Sequence, residues 1–306
     1  MNKEIGCGVA IIIPCYNEGE TIHKVVSGFK EALPDAIVYV YDNCSTDNTQ
    51  EQAKNAGAIV RIEKRQGKGN VIRTMFADVN ADYYVLVDGD LTYDPKVAPE
   101  MIKHLIDNNL DMLNISRDGV AGAYRRGHKI GNFLLTKTVE VIFGSGLSDM
   151  LSGYRVFTNR FVKTFPAKSN GFEVETELTV HSLEMKLPIG ELSAKYDDRP
   201  DGSVSKLSTY RDGVKILLMI TRLFFLVKPL ISFSILSGVL AISAIIIGWV
   251  QVVSPLLEYS VITKYPSVIL SSSLMVLSIL LFISGVIINA ISNTRKDYFR
   301  LLYLSK

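Results

Sequence analysis

The chain has 306 residues, enough for about two domains, and its 48% hydrophobic content is high for a purely water-soluble protein. Its 33 basic and 31 acidic residues give a formal charge of +2, and this near balance argues against wholesale nucleic-acid binding. Three cysteines without metal-ligand or redox spacing exclude a disulfide framework and fit a reducing compartment.

The N-terminal part alternates between strand-like and helix-like patterns. Apolar runs predict strands at Val9–Ile13, Ile37–Tyr41, Ala58–Ile62, Tyr83–Val87 and Asp111–Ile115. Helical periodicity predicts helices between them, at residues 22–33, before Gly57, at Asn70–Val79 and at Pro95–Asn108. Ser45 or Thr46 is expected to cap the second helix. Such alternation predicts an α/β fold with a mostly parallel, doubly wound sheet.

Polar side chains follow several of these strands. They are Tyr16-Asn17-Glu18 after the first strand, Asp42 after the second, Asp88 and Asp90 after the fourth, and Ser116-Arg117 after the fifth. In open α/β sheets, ligands bind outside the carboxyl ends of the strands. We therefore expect these residues to meet in one ligand site.

The segment Asp88-Gly89-Asp90 carries the most specific chemistry. Residues two apart on an extended segment share a face, so both carboxylates project towards one point, and Gly89 leaves room for a ligand. Hard cations such as Mg²⁺ and Mn²⁺ prefer oxygen ligands, and substrate phosphates often complete their coordination. The alternative is an ordinary turn, in which Asp and Gly are common. Convergence of other polar residues at the same edge favours the cation site.

The C-terminal part contains two stretches without charged residues, Pro229–Leu257 and Tyr265–Thr294. Each exceeds the ~20 apolar residues that a transmembrane helix needs. We predict transmembrane helices at Ile231–Val253 and Ser267–Ser292, the alternative being a hairpin buried in a soluble core. Before them, Leu207–Lys228 has the pattern of an amphipathic helix that lies on the bilayer surface or packs on the soluble domain.

Basic residues flank the two predicted spans and predict their orientation. The connecting segment has only Lys264 against Glu258, whereas both outer flanks are basic, through Lys215, Arg222, Lys228, Arg295, Lys296, Arg300 and Lys306. The positive-inside rule places both outer flanks in the cytoplasm. The first residues show no signal-peptide pattern. We therefore expect a multi-pass protein of the inner or plasma membrane with a cytoplasmic N-terminal domain.

Four ordered motifs carry a family resemblance. They are Val9-Ala-Ile-Ile-Ile-Pro-Cys-Tyr-Asn-Glu18, Tyr41-Asp42-Asn43-Cys44-Ser45-Thr46-Asp47-Asn48-Thr49, Lys68-Gly69-Asn70 and Val87-Asp88-Gly89-Asp90. Over residues 9–206 the chain resembles family 2 inverting glycosyltransferases with the GT-A fold. The two spans and Arg199 with Ser205-Lys206 resemble the polyprenyl-phosphate glycosyltransferases, relatives of dolichyl-phosphate mannose synthase. The expected domains are 1–206 (GT-A), 207–229 (interfacial) and 230–306 (two-helix transmembrane, with a short tail).

The resemblance implies a set of donor-binding residues. Contacts to the nucleotide sugar are expected from Pro14, Tyr16, Glu18, Asp42, Lys68, Asp88, Gly89, Asp90 and Arg117. Asp88 and Asp90 would hold Mg²⁺ or Mn²⁺ against the diphosphate. Arg117 would reach the donor phosphates, and Asp149 would lie near the sugar. The family often has a second acidic residue where this chain has Asn43.

The acceptor side follows from the same resemblance. Arg126, in Tyr124-Arg-Arg-Gly127, lies in the basic loop expected to meet a lipid phosphate, although Arg125 is an alternative. Arg199, Ser205 and Lys206 would clamp that phosphate, since a guanidinium group matches phosphate oxygens bidentately. The predicted catalytic residues are Asp149, Arg117 and Arg199. Glu175, in the first turn of a predicted helix, is a weaker site candidate.

The expected reaction is metal-dependent, inverting transfer of a sugar from a nucleoside diphosphate to polyprenyl (undecaprenyl) phosphate. Family frequency favours UDP-glucose or UDP-N-acetylglucosamine, and a mannose synthase that uses GDP-mannose is the alternative. A polysaccharide synthase is disfavoured because its Gln-x-x-Arg-Trp motif is absent and the only tryptophan, Trp249, lies in a predicted span. A degenerate nucleotide-sugar-binding membrane protein is disfavoured by the intact Asp88 and Asp90. Small residues in the spans, among them Ser237, Gly238 and Gly285, are compatible with a homo-oligomer.

Overall fold

A computed structural model describes residues 8–119, 136–142, 144, 147–197, 209–259 and 264–304. The chain forms two compact units. The first comprises Met1–Ile220 with Leu302–Lys306, and the second comprises Thr221–Leu301.

The first unit is built on a sheet whose seven strands lie within the described residues. The strands are β1 (Val9–Cys15), β2 (Ile37–Asp42), β3 (Ile59–Ile62), β4 (Tyr83–Leu86), β5 (Met112–Gly119), β6 (Arg155–Thr158) and β7 (Ile189–Tyr196). Their order is β3-β2-β1-β4-β6-β5-β7. Strand β6 is antiparallel to both neighbours, and the other pairings are parallel. The predicted mostly parallel α/β sheet is confirmed.

Helices connect and cover these strands. They are α1 (Ile22–Ala32), α2 (Thr49–Asn55), α3 (Lys68–Asp78), α4 (Ala98–Asp107, preceded by a 3₁₀ turn at Pro95–Val97), α5 (Asn159–Thr164) and α6 (Val174–Met185). Each βα unit before β5 therefore matches the predicted alternation.

Strand β1 shows why the sheet is covered on both sides. Ile11 and Ile13 pack in one hydrophobic cluster with Phe29 of α1, whereas Ile12 packs in a second cluster with Phe76 of α3. All of these side chains are buried. A continuous apolar strand of this kind is typical of a parallel sheet with helices on both faces. The sheet thus forms a rigid platform whose carboxyl-end edge carries the loops.

Three sequence-based boundaries were wrong for identifiable reasons. The first strand was expected to end at Ile13, but the parallel ladder to β2 continues through Pro14 to Cys15. Arg117 was expected after β5, but it lies within that strand, which pairs with β7 as far as Gly119. Ser45 and Thr46 do not cap α2, which begins after Asn48, because they hydrogen-bond with Asn17 instead.

The second unit is helical and apolar. Helix α7 (Thr209–Val227) leads into it, and α8 (Pro229–Gly248), a π-helical turn (Trp249–Val253), α9 (Ser254–Tyr259) and α10 (Tyr265–Leu304) follow. Within the described residues, Pro229–Glu258 and Tyr265–Leu304 are long and apolar enough to cross a membrane. In the most apolar window of each, only 17% and 11% is buried, whereas a core helix of a soluble protein is mostly buried.

Small residues bring the two apolar helices together inside this unit. The Ser237 and Ser278 hydroxyl oxygens are 3.0 Å apart, and Ser278 also donates to the Ser237 carbonyl at 2.9 Å. A Cβ at Gly285 would lie 2.6 Å from the Phe233 Cβ, so glycine permits this close approach. Gly238 has open space around it. Two of the three small residues singled out in the sequence therefore pack within one chain.

Candidate active site

The loop after β1 lies against the segment that contains both candidate metal ligands. The Thr21 hydroxyl donates to the Gly89 carbonyl at 2.6 Å, and the Glu18 backbone N–H donates to the Thr49 hydroxyl at 2.8 Å. A Cβ at Gly89 would lie 2.8 Å from the Cys15 Sγ. Glycine is therefore required between the two aspartates by the packing against β1.

Asp42 is the last residue of strand β2 and Asn43 follows it, and both are buried. The Asp42 Oδ2 accepts hydrogen bonds from Ser45 N and Gln50 Nε2, at 3.3 and 2.9 Å. Its buried Oδ1 has no hydrogen-bond partner among the described residues. A buried acceptor of this kind normally has a donor, so a ligand N–H or O–H group would complete it.

Asn43 links three segments through one amide. Its Nδ2 donates to the Glu63 and Arg65 carbonyls, both at 2.9 Å, and its Oδ1 accepts from Gly67 N at 2.6 Å. An ionised aspartate has no donor for the two carbonyls. Asn43 therefore makes contacts that an acidic residue could not make, and it links the segment after β3 to the start of α3.

Asp88 and Asp90 follow β4 at the carboxyl edge, as predicted. Asp90 is buried and accepts from the Thr92 hydroxyl at 2.6 Å. The Asp88 side chain is 29% exposed. A Cβ at Gly153 would lie 2.2 Å from the Asp88 Oδ2, so only glycine at position 153 leaves room for the Asp88 carboxylate. This contact brings the segment before β6 to the end of β4.

Lys68, the first residue of α3, contacts the other carboxylate oxygen of Asp88. Its Nζ lies 2.5 Å from the Asp88 Oδ1 and 2.6 Å from the Glu175 Oε1. Burial disfavours the charged ammonium, but the two carboxylates outweigh burial and raise the pKa of Lys68 above its usual range. Burial raises the pKa of Glu175, and the Lys68 charge partly offsets this effect. Glu175, a weaker candidate from the sequence, is therefore a specific partner of Lys68 in this site.

The backbone of α3 is fixed next to Lys68 by a loop that α6 holds. The Gly69 N–H donates to the Asn170 carbonyl at 3.0 Å, and a Cβ at Gly69 would lie 2.3 Å from the Ser169 carbonyl oxygen. The Glu177 carboxylate accepts from the backbone N–H groups of Lys168 and Ser169 and from the Ser169 hydroxyl. Sequence reasoning missed Glu177, although a glutamate at helical spacing among apolar residues is a signal of a buried partner.

Asp149 lies in a bidentate ion pair with Arg117. The Arg117 Nε is 2.5 Å from the Asp149 Oδ2, and its terminal nitrogen is 2.8 Å from Oδ1. Both side chains are largely buried, with 14% and 8% exposed. The guanidinium group also stacks on Tyr196 at 5.5 Å from the ring centre. The structure therefore brings these two predicted residues together, and Arg117 orients the Asp149 carboxylate.

Glu191 of β7 holds the backbone on which Asp149 sits. One of its carboxylate oxygens accepts from the Ser148 N–H and hydroxyl, at 2.8 and 2.6 Å. The other accepts from the Asp149 N–H at 3.2 Å and from the Asn114 amide at 2.9 Å. Asn114 in turn donates to the Asp149 carbonyl at 2.9 Å. Sequence reasoning missed this residue because its partners are distant in the chain.

Arg155 supports the same loop from within the sheet. It is fully buried and donates to the Met150 and Ser152 carbonyls at 2.5 and 3.1 Å, and to the Thr179 hydroxyl at 3.0 Å. Burial lowers the pKa of Arg155 to about 10, so the guanidinium stays charged at neutral pH. A charged residue inside an apolar strand pattern is a signal that could have found it, since such residues need partners.

Most of the predicted donor-site residues lie at one edge of the sheet. They lie in or next to the loops at the carboxyl ends of β1, β2, β4 and β5, and the contacts above link these loops. The residues are Pro14, Tyr16, Glu18, Asp42, Lys68, Asp88, Gly89, Asp90, Arg117 and Asp149. The predicted acceptor residues Arg126, Arg199, Ser205 and Lys206 lie outside the described residues. The role of each residue stays a prediction.

The donor set at Asp88 and Asp90 fits a hard divalent cation. Carboxylate oxygens are the ligands that Mg²⁺ and Mn²⁺ prefer, and Gly153 leaves the Asp88 carboxylate in place. In the part of the chain that the structure describes, no group of three or more His, Cys, Asp or Glu side chains could hold a metal ion. A cation here would therefore need ligands from a bound substrate and from water.

Comparisons with known proteins identify the family of this chain. The family model described as glycosyl transferase family 2 matches residues 10–165. Glycosyltransferase AglJ of Haloferax volcanii is 35% identical over 216 residues, which cover 70% of this chain and 71% of AglJ. The dolichol-phosphate mannosyltransferase of Pyrococcus furiosus is 25% identical over 197 residues, which cover 58% of this chain and 54% of that protein.

A solved structure has the same fold. Glucosyl-3-phosphoglycerate synthase from Mycobacterium tuberculosis, crystallised with Mn²⁺, UDP-glucose and phosphoglyceric acid, superposes with a TM-score of 0.60. The match covers 70% of this chain and 80% of the synthase at 21% identity, and it confirms the predicted GT-A-like fold. The family match covers half of this chain, and the fold and the motif order agree with it. The chain therefore belongs to glycosyl transferase family 2 and is a glycosyltransferase.

Proposed function

We propose that the protein transfers a hexose from a nucleoside diphosphate, UDP-glucose or UDP-N-acetylglucosamine, to polyprenyl phosphate at the cytoplasmic face of the cell membrane. The observation that carries the proposal is that Lys68, Asp88 and Asp149 lie with their partners at one edge of the sheet. The same chain has two apolar helices long enough to span a bilayer. This combination suits an anionic donor and a lipid-borne acceptor.

The donor side rests on three groups. The buried Asp42 Oδ1 lacks a protein partner among the described residues and would accept a hydrogen bond from the nucleoside. The Lys68 ammonium, held beside Asp88, would attract the diphosphate oxygens. The mycobacterial synthase of the same fold was crystallised with UDP-glucose, which supports a UDP-sugar.

Asp88 and Asp90 would hold Mg²⁺ or Mn²⁺ beside the diphosphate. When bound, such a cation neutralises negative charge on the departing diphosphate. Lys68 would add a second positive charge at the same place, since its Nζ is 2.5 Å from the Asp88 carboxylate. The residues therefore favour departure of a diphosphate leaving group over binding of a neutral sugar.

Asp149 would act on the sugar. Its carboxylate accepts three hydrogen bonds from Arg117, two from the guanidinium and one from the backbone N–H, so its orientation is fixed. A fixed carboxylate can orient sugar hydroxyls and stabilise positive charge that develops at the anomeric carbon. A phosphate acceptor is already anionic near neutral pH, so no strong general base is required. Attack opposite the leaving diphosphate inverts the anomeric centre.

The lipid acceptor is supported by the C-terminal unit. Its two long helices expose most of their apolar side chains, which suits a position within a bilayer. Basic residues on both outer flanks favour a cytoplasmic location of the first unit. Arg126, Arg199, Ser205 and Lys206 are the residues we propose for the acceptor phosphate.

A mannose donor is the second candidate. One curated relative is named dolichol-phosphate mannosyltransferase, and its match extends over 58% of this chain. GDP-mannose would use the same Asp88 and Asp90 carboxylates and the same acceptor. The nucleobase contact at Asp42 would then be with guanine in place of uracil.

The test is a transfer assay with membranes that contain the protein. Undecaprenyl phosphate is added with radiolabelled UDP-glucose, UDP-N-acetylglucosamine or GDP-mannose, and label in the lipid fraction is counted. We expect labelling from one donor, lost with a chelator and restored by Mn²⁺ or Mg²⁺. Labelling with GDP-mannose alone would select the second candidate. If no donor labels the lipid, or if the chelator has no effect, the proposal fails.

A further inference from the structure

The Lys68 ammonium is shared by two carboxylates that differ in exposure. The Asp88 side chain is 29% exposed, whereas the Glu175 and Lys68 side chains are 6% and 8% exposed. Their hydrogen bonds to Nζ have nearly equal lengths, 2.5 and 2.6 Å. One ammonium thus bridges an outer acid, which a ligand can reach, and an inner acid, which lies in the protein.

Formal charges show what the inner acid adds. Asp88, Asp90 and Glu175 carry three negative charges, Lys68 carries one positive charge, and the buried Arg155 guanidinium, which also acts on Glu175, carries another. The group therefore keeps a net negative charge that a divalent cation can offset. Without Glu175 the same cation would leave an excess positive charge in a largely buried site, which is unfavourable.

The position of the Lys68 backbone does not depend on Glu175. The Asn170 carbonyl accepts the Gly69 N–H, and Glu177 anchors the loop that carries this carbonyl. Helix α6 therefore contacts the start of α3 in two ways: Glu177 acts through the backbone of the loop, and Glu175 acts on the ammonium alone. This division offers a control for packing effects.

We propose that Glu175 is a positioning residue that retains the Lys68 ammonium in the site when a divalent cation binds Asp88. The inference rests on the proposed function, because it assumes a cation at Asp88 and Asp90. A cation at Asp88 repels the ammonium, and the Glu175 carboxylate lets Nζ remain within hydrogen-bond reach of an acid. With glutamine at this position, the ammonium and the cation compete for Asp88.

The test measures Mn²⁺ binding to the full chain in detergent, with Mn²⁺ alone as the probe. Free Mn²⁺ is followed by electron paramagnetic resonance for the wild type, Glu175→Gln, Lys68→Met and the double variant. We expect Glu175→Gln to weaken binding by about 10- to 100-fold, the range for partners of metal ligands. Lys68→Met should strengthen binding because it removes the competing charge. The double variant should lie near the wild type, since the two effects are coupled.

Glu177→Gln is the matched control, because both glutamates are 4% exposed and lie on the same helix. Because Glu177 holds the loop and contacts neither Asp88 nor the ammonium, Glu177→Gln should lower the melting temperature and weaken Mn²⁺ binding by less than Glu175→Gln does. As a second measure, the rise in melting temperature with added Mn²⁺ should be smaller for Glu175→Gln than for the wild type.

Two results would overturn the inference alone: wild-type Mn²⁺ affinity in folded Glu175→Gln, or an equal loss of affinity in Glu177→Gln. Absence of Mn²⁺ binding in the wild type would instead overturn the cation site and the inference together.

Discussion

The carboxylates at the two ends of the site are held in different ways. Asp88 and Asp90 belong to a group with net negative charge, and one carboxylate, Asp88, shares an ammonium with Glu175. Asp149 is neutralised by Arg117, and its backbone is fixed by Glu191 and Asn114. The first region is therefore governed by charge that an added cation can balance, and the second by the direction of hydrogen bonds.

This difference indicates separate tasks within one site. A region with unbalanced charge responds to a cation and to a diphosphate, so its geometry can change on binding. A neutral ion pair attached to the sheet by several hydrogen bonds keeps its direction whether or not a donor is present. Substitutions in the first region should mainly change affinity for the cation, and substitutions in the second should mainly change stability and rate.

The largest effect is expected from Asp90→Ala. Loss of one of two cation ligands should reduce sugar transfer to lipid at least about 100-fold. Transfer is measured with the donor selected by the membrane assay. Asp107→Ala, an exposed aspartate at the end of α4, should transfer at the wild-type rate. Near-normal turnover of folded Asp90→Ala would contradict the assignment of the cation site.

Glu191→Gln should act on the other region. An amide cannot accept the four hydrogen bonds that the carboxylate accepts from Ser148, Asp149 and Asn114. The free energy of unfolding should fall by about 1.5–3 kcal/mol, the value for hydrogen bonds to a charged group. Melting of the purified chain tests this, with exposed Glu100→Gln as control. Transfer should slow, while Mn²⁺ affinity should stay unchanged; a changed affinity would remove the distinction between the regions.

Gly153→Ala tests where the two regions touch. The added Cβ would lie 2.2 Å from the Asp88 Oδ2, so the carboxylate must turn away. Because a side-chain end can move at little cost, the melting temperature should change little while Mn²⁺ binding weakens. Gly238→Ala, where the added Cβ meets open space, is the control. Unchanged Mn²⁺ affinity would show that Asp88 holds the cation in a different position.

The smallest effect concerns Glu63, a carboxylate at the end of β3 that is paired with Arg65. The hydrogen bond from Arg65 holds the pKa of Glu63 at about 2, against an ordinary value of 4.5. Its stabilising effect is complete above pH 4.5 and is lost as the pH falls towards 2. Glu63→Gln should therefore lower the melting temperature at neutral pH, and the difference from the wild type should shrink in acid. If the difference in melting temperature between Glu63→Gln and the wild type stayed constant across this pH range, the ionised Glu63 carboxylate would not be the source of the stabilisation.

The sequence predicted the sheet and the donor edge because their signals are local. An apolar run followed by Asp42 or Asp88 indicates both a strand and its carboxyl end, and it does so within a few adjacent residues. The supports of the site were missed because they act across the fold: Glu191 contacts Ser148, 43 positions away in the chain, and Lys68 contacts Glu175, 107 positions away. No local pattern contains such pairs.

Strand β6 was not predicted for a related reason. It runs between β4 and β5 in the opposite direction, and this arrangement depends on partners far along the chain. Arg117 was placed after β5 because the apolar run stops at Ile115, but pairing with β7 extends that strand. Tertiary pairing therefore extended an element whose own residues are polar.

The reversed direction of β6 bears on which residues of this chain can be exchanged. Strand β5 ends at Gly119 and β6 begins at Arg155, and because they are antiparallel neighbours both points lie at the same rim. The chain between them therefore leaves and re-enters the sheet at the edge that carries Asp88 and Asp149. Any exchange of sequence in this part of the chain would have to keep Asp149 and Gly153, because Arg117 and Asp88 depend on them.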